Sequence, residues 1–99
     1  MSPTYEASRR FFREYTKLSP EQRERFRMAR RKLVAALRED PPTFPPELRI
    51  KRVQGVRDVW EMTFAADGRA TFAYGQAERE GEAHVAWRRV GTHDVLSDP

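Results

Sequence analysis

From Tyr5 to Leu18, the apolar positions Tyr5, Phe11 or Phe12, Tyr15 and Leu18 recur at helical spacing, with Arg9, Arg10, Arg13 and Lys17 between them. The stretch reads as a first helix. Ser19-Pro20 then signals a new start: serine is a good N-cap, proline fits the first helical position, and Gln22 completes a capping box with Ser19. The second helix carries Phe26, Ala29, Leu33, Ala36 and Leu37 on one stripe. It is expected to end near Glu39, because the prolines at 41, 42, 45 and 46 cannot continue it.

Beyond the prolines the period changes from 3.6 to 2. Strands are expected over Leu48–Val53, Val59–Phe64, Arg69–Tyr74 and His84–Val90, the last broken by Gly91. Ala66-Asp67-Gly68 is a hairpin signal between the second and third of these, and Gly75–Glu82 reads as a polar loop. The fold class is therefore α+β: an N-terminal αα-hairpin packed on a four-stranded, mainly antiparallel sheet. One domain over 1–99 is expected, with the hairpin over about 4–39, a proline-rich loop over 40–46 and the sheet over about 48–95. The second face of the sheet is left for a ligand.

Composition sharpens this picture. Only 38% of the residues are apolar, so the core must draw its bulk from six Phe, three Tyr and two Trp. The absence of cysteine excludes disulfides and thiolate metal sites and fits a reducing compartment. No apolar run reaches the length of a membrane span, and the first residues show no secretory pattern. A cytoplasmic protein with no membrane partner is the expectation. The net charge of +4 is unevenly distributed. Residues 1–54 hold fourteen Lys/Arg against seven Asp/Glu, whereas residues 55–99 hold five against eight. The first half is thus a basic body that attracts anionic partners, and charge alone does not choose among nucleic acid, acidic membranes and acidic proteins.

Several residues bear on chemistry. His93 follows Gly91-Thr92 at a strand end, where a loop can present a proton shuttle, or where the imidazole is simply solvated. By period 2, Arg89 shares a strand face with Val85 and Trp87. It either borders a site or lays its stem over Trp87. Arg69 starts a strand and either converges on the same place or flanks the turn. Glu61 faces away from Trp60, Met62 and Phe64, as a base, as a partner to an arginine, or as an exposed strand carboxylate. Arg49, Lys51, Arg52 and, near the other end, Arg88 suit phosphate contacts, or form charged edges that resist aggregation. No Gly-rich phosphate loop, HExxH motif or Cys/His zinc set is present, so no cofactor or metal is expected.

Taken together, Phe11…Tyr15…Leu18, Arg25-Phe26…Ala29…Leu33, Val56…Val59-Trp60-Glu61-Met62, Asp67-Gly68-Arg69 and the closing Arg89-Val90-Gly91-Thr92-His93 resemble the RelE/ParE superfamily of bacterial toxins, in its YafQ-like branch. The resemblance implies a metal-free endoribonuclease that cleaves mRNA, bound at the ribosome, by attack of the 2′-hydroxyl. It implies His93, Arg89 and Arg69 as motif residues, an inhibitory antitoxin partner, and a hetero-oligomer with it. Two departures stand out. Glu61 and Thr63 fall where some relatives carry lysine, and no strand is visible ahead of the first helix, so the sheet is expected to lack that edge strand. A gyrase-binding toxin of the same fold and a catalytically silent binding module remain the alternative functions.

Overall fold

In the computed structural model, which describes residues 3–75 and 83–99, two serines set the helical hairpin. Ser8 has an extended backbone, and its Oγ accepts the Phe11 amide at 3.0 Å, so α1 runs Arg9–Lys17. Leu18 leaves the helix, and Ser19 begins α2 (Pro20–Leu37) with the expected capping box. The Gln22 amide donates to Ser19 Oγ at 3.1 Å, and the Ser19 amide donates to Gln22 Oε1 at 3.0 Å. The buried stripe of α2 is Phe26, Ala29, Leu33 and Ala36, as the 3.6 spacing requires.

The helix expected from Tyr5 is corrected. Thr4–Ala7 is a strand, β1, which runs parallel to the last strand of the sheet, with Thr4 opposite His84 and Ala7 opposite Trp87. The edge strand expected to be missing is therefore present. Its side chains carry little pattern: Tyr5 is 67% exposed, and Glu6 also faces solvent. What holds it is the backbone ladder together with His84, whose Nδ1 lies 2.7 Å from Thr4 Oγ1 and whose Nε2 lies 2.9 Å from Glu6 Oε1. Period-2 reading has nothing to detect in a four-residue edge of this kind.

The remaining strands are β2 (Lys51–Arg52), β3 (Trp60–Thr63), β4 (Gly68–Tyr74) and β5 (His84–Thr92). The order across the sheet is β1-β5-β4-β3-β2, antiparallel from β5 to β2. The strand expected over Leu48–Val53 is reduced to two residues, because Leu48 belongs to a 3-10 turn over Pro46–Leu48 and is itself buried. Gly91 does not break β5, which continues to Thr92 and leads into a 3-10 helix over His93–Ser97. The β3–β4 turn closes through Gly68 N–H to Ala65 O and Phe64 N–H to Gly68 O, both 3.1 Å. The Phe64 ring lies so close that a Cβ on Gly68 would fall 2.6 Å from it. The polar loop expected over 75–82 lies, from residue 76 on, outside the described residues.

The helices cover one sheet face, and the core between them is aromatic. Phe26 packs edge-on against Trp87 at 5.2 Å between centroids and against Phe64 at 5.6 Å, and meets Phe11 tilted at 5.6 Å, while Phe72 meets Trp87 at 5.4 Å. Tilted and edge-to-face contacts of this sort favour the ring quadrupoles beyond simple area burial. No helix among the described residues is long and apolar enough to cross a membrane.

Candidate functional site

The strand register builds a polar row on the sheet. Lys51 is opposite Glu61, Glu61 opposite Thr71, and Thr71 opposite Arg89. Pleating puts Glu61 on the face away from Met62, which is in the core. That face is not open. The 3-10 helix after β5 packs over it through Val95, which is 4% exposed. Glu61 is consequently buried at 6% exposure, in place of the exposed carboxylate that was one sequence reading. A buried carboxylate with few partners is unusual, since removing its charge from water is costly. The nearest cation is Lys51, with Nζ 3.8 Å from Glu61 Oε1, which is a charge contact rather than a hydrogen bond. The neighbouring Thr71 is fully buried, and its Oγ1 has no hydrogen-bond partner among the described residues.

A cavity of about 400 Å³ opens beside Glu61, lined by Lys51, Arg52, Val53, Gln54, His93 and Leu96. The structure thus brings Glu61, Lys51, Arg52 and His93 to one place from three parts of the chain. His93 is positioned through its backbone. Its amide donates to Asp67 Oδ1 of the β3–β4 turn at 3.3 Å, and the next amide, Asp94, donates to Thr92 Oγ1 at 3.4 Å. Gly91 lets Val95 seat closely, because an added Cβ would lie 3.1 Å from Val95 Cγ1. The Arg52 guanidinium stacks over the Trp60 ring, 5.3 Å from its centroid.

Arg89 and Arg69 do not line this cavity. A bulge between β4 and β5 pairs Thr71 with Arg89 and Phe72 with Trp87, leaving Arg88 as the extra residue. The extra residue reverses the phase of the strand, so Val90 joins Trp87 in the core, and the face shared by Arg89 and Trp87 in a regular strand is lost. The Arg89 Nη2 instead donates to Glu14 Oε2 of α1 at 2.6 Å, and its Nη1 donates to the Asp98 carbonyl at 3.2 Å. The Glu14 carboxylate, hydrogen-bonded to it, raises the guanidinium pKa above its ordinary value. Arg88 is exposed and donates to the Pro99 carbonyl at 3.0 Å.

Arg69 donates from Nη1 to three carbonyls, those of Ala65, Ala66 and Gly68, at 3.0–3.4 Å. It thereby ties the turn and borders a different cavity, which it shares with Arg49. Arg49 caps the 3-10 turn at φ 46, in the left-handed region, and is exposed. Sequence reasoning missed two residues that matter to the site, Asp67 and Glu14. Asp67 was visible as part of a turn signal and of the Asp67-Gly68-Arg69 motif, without its role of accepting the His93 amide. Glu14 lies 75 residues from Arg89 and gave no sign of the pairing.

The class of fold follows from this arrangement: two helices on a five-stranded mixed sheet, as in the RelE and YafQ toxins. In particular, a chain of the E. coli DinJ-YafQ toxin-antitoxin complex superposes with a TM-score of 0.67 at 14% identity, covering 97% of this chain and 98% of that one. YafQ from E. coli strain BL21(DE3) gives 0.62 at 15% identity, over 95% of this chain and 97% of that one. A chain of the RelB-RelE antitoxin-toxin complex from Methanococcus jannaschii gives 0.62 at 12% identity, over 93% and 94%. At these identities the likeness is one of fold. No protein-family model matches the sequence, and no curated protein matches it significantly.

Proposed function

We propose that the chain is the toxin of a toxin–antitoxin pair and an endoribonuclease that cleaves mRNA on the cytoplasmic ribosome, by attack of the 2′-hydroxyl on the adjacent phosphate. The observation that carries this reading is the meeting of His93, Glu61, Lys51 and Arg52 around one cavity. The reaction needs a group to take the hydroxyl proton, a group to protonate the departing 5′-oxygen, and cations for the crowded phosphorane. The His93 imidazole and the Glu61 carboxylate, both lining the cavity, supply the two proton-transfer groups. Lys51, which reaches Glu61, supplies the charge, while the Arg52 guanidinium lies over Trp60 and Arg52 lines the cavity wall. In this reading the catalytic role expected of Arg89 and Arg69 passes to Lys51, Arg89 bracing α1 through Glu14 and Arg69 bracing the turn that anchors His93. The fold shared with toxins crystallised in antitoxin complexes supports a protein antitoxin as partner.

The test is brief induction in a bacterial host with cut sites mapped by primer extension, wild type beside His93→Ala. Discrete cuts with wild type that disappear in the variant are expected. Toxicity without cuts would overturn the nuclease reading in favour of a non-nuclease toxin, and absence of both would leave a binding module.

A further inference from the structure

On the other side of β3, α2, the 3-10 turn over Pro46–Leu48 and the β3–β4 turn enclose a groove of about 440 Å³. It shares no lining residue with the His93 cavity. Four cations line it, Arg25, Lys32, Arg49 and Arg69, against one carboxylate, Glu47. Arg25 already pairs with Glu21 at 3.2 Å and Lys32 with Glu47 at 3.1 Å. Arg49 and Arg69 have no carboxylate within ion-pair distance among the described residues. The floor is apolar: Ala29, Leu48 and Phe64 are buried, and Met28 stands half-exposed at the rim.

We propose that this groove docks an acidic peptide segment, seating an aliphatic side chain on Leu48 and Ala29 and pairing its carboxylates with Arg49 and Arg69. The chemistry favours peptide over nucleic acid. Bases of a single strand gain affinity by stacking on free aromatic faces, and among the described residues the one ring lining the groove, Phe64, is 9% exposed, packed edge-on against Phe26 and pressed against Gly68. An aliphatic floor rimmed by the Arg49 and Arg69 guanidinium groups, neither with a carboxylate partner among the described residues, fits the apolar anchor and acidic flanks of a partner segment. Identifying that segment with the antitoxin rests on the toxin reading; the docking itself does not. Because the groove and the His93 cavity are separate, a segment held here leaves the cavity unfilled, and inhibition must come from what the partner does beyond the groove.

The measurement is amide chemical-shift mapping on the isotope-labelled His93→Ala protein, titrated with a peptide of alternating Glu and Leu and separately with an oligouridylate. The peptide is expected to move amides over 25–32, 47–49 and 63–69, and the oligonucleotide those over 51–61 and 92–96. Arg49→Glu and Met28→Glu should each weaken peptide binding by about tenfold or more, whereas Lys51→Glu should not. Met28→Glu leaves the turn contacts of Arg69 untouched, so a lost fold cannot mimic the result. Peptide shifts centred on the His93 cavity, or no peptide shifts, overturn the proposal. Oligonucleotide shifts centred on the groove overturn it in favour of a nucleic-acid surface. The readout is binding to a protein lacking His93, so failure of the nuclease reading leaves it unaffected.

Discussion

Glu61 is the residue whose environment departs furthest from ordinary behaviour for its type. Charged side chains are seldom buried without close pairing, yet Glu61 is 6% exposed, with its nearest cation at 3.8 Å. Period 2 placed it correctly on the face opposite Met62. Whether that face was wet depended on a 3-10 helix some thirty residues further along the chain. Glu61→Gln preserves shape and removes the charge. If the carboxylate transfers a proton, single-turnover cleavage should fall by about 10²–10⁴-fold, with one limb of the pH–rate profile lost and the thermal midpoint nearly unchanged. A rise in KM alone would show instead that Glu61 orients Lys51. Arg89 teaches the complementary lesson. Its motif position was readable, but its partner Glu14 was not, and a pair only 16% and 19% exposed gives it a bracing geometry.

At the scale of elements, the short segment after β5 does more than close the chain. Thr92 caps it, Asp67 holds its first amide, and Val95 anchors it against Gly91. His93 thus hangs from a strand end clamped at both sides. Gly91→Ala would press a methyl group 3.1 Å from Val95 Cγ1, and the helix would have to yield by a few tenths of an ångström. The expected outcome is a cleavage rate lower by about tenfold with an unfolding midpoint close to wild type, because geometry at the reacting atoms is more sensitive than overall stability. An unchanged rate would mean that His93 tolerates the shift or takes no part. The bulge at Arg88 is the other device at this scale. One extra residue rotates the end of β5 so that Val90 enters the core and Arg89 leaves it.

For the whole molecule, β1 decides how the sheet ends. Without it, half of β5 would present unpaired backbone groups, an invitation to edge-to-edge association. The strand is held by its parallel ladder to β5, by the Ser8 amide donating to Trp87 O at 3.1 Å, and by His84 between Thr4 and Glu6. Removing residues up to Ala7 should lower stability and produce concentration-dependent association, seen by sedimentation velocity. A monodisperse truncated protein of wild-type stability would show that the strand is dispensable.

Much of this architecture could be read along the chain. The capping box at Ser19, the buried stripe of α2, the meander from β3 to β5 and the closed turn at 65–68 were all legible. Each depends on residues a few positions apart, through hydrogen-bond caps, helical spacing or pleat alternation. The tertiary structure decided the rest. A four-residue parallel edge strand has no periodic signature, because its pairing is with residues eighty positions away. A bulge changes side-chain phase without changing composition. The company that His93 keeps, Glu61 with Lys51 and Arg52 rather than Arg89 and Arg69, was fixed by sheet register and by the packing of one buried valine, both of which are properties of contacts between distant segments.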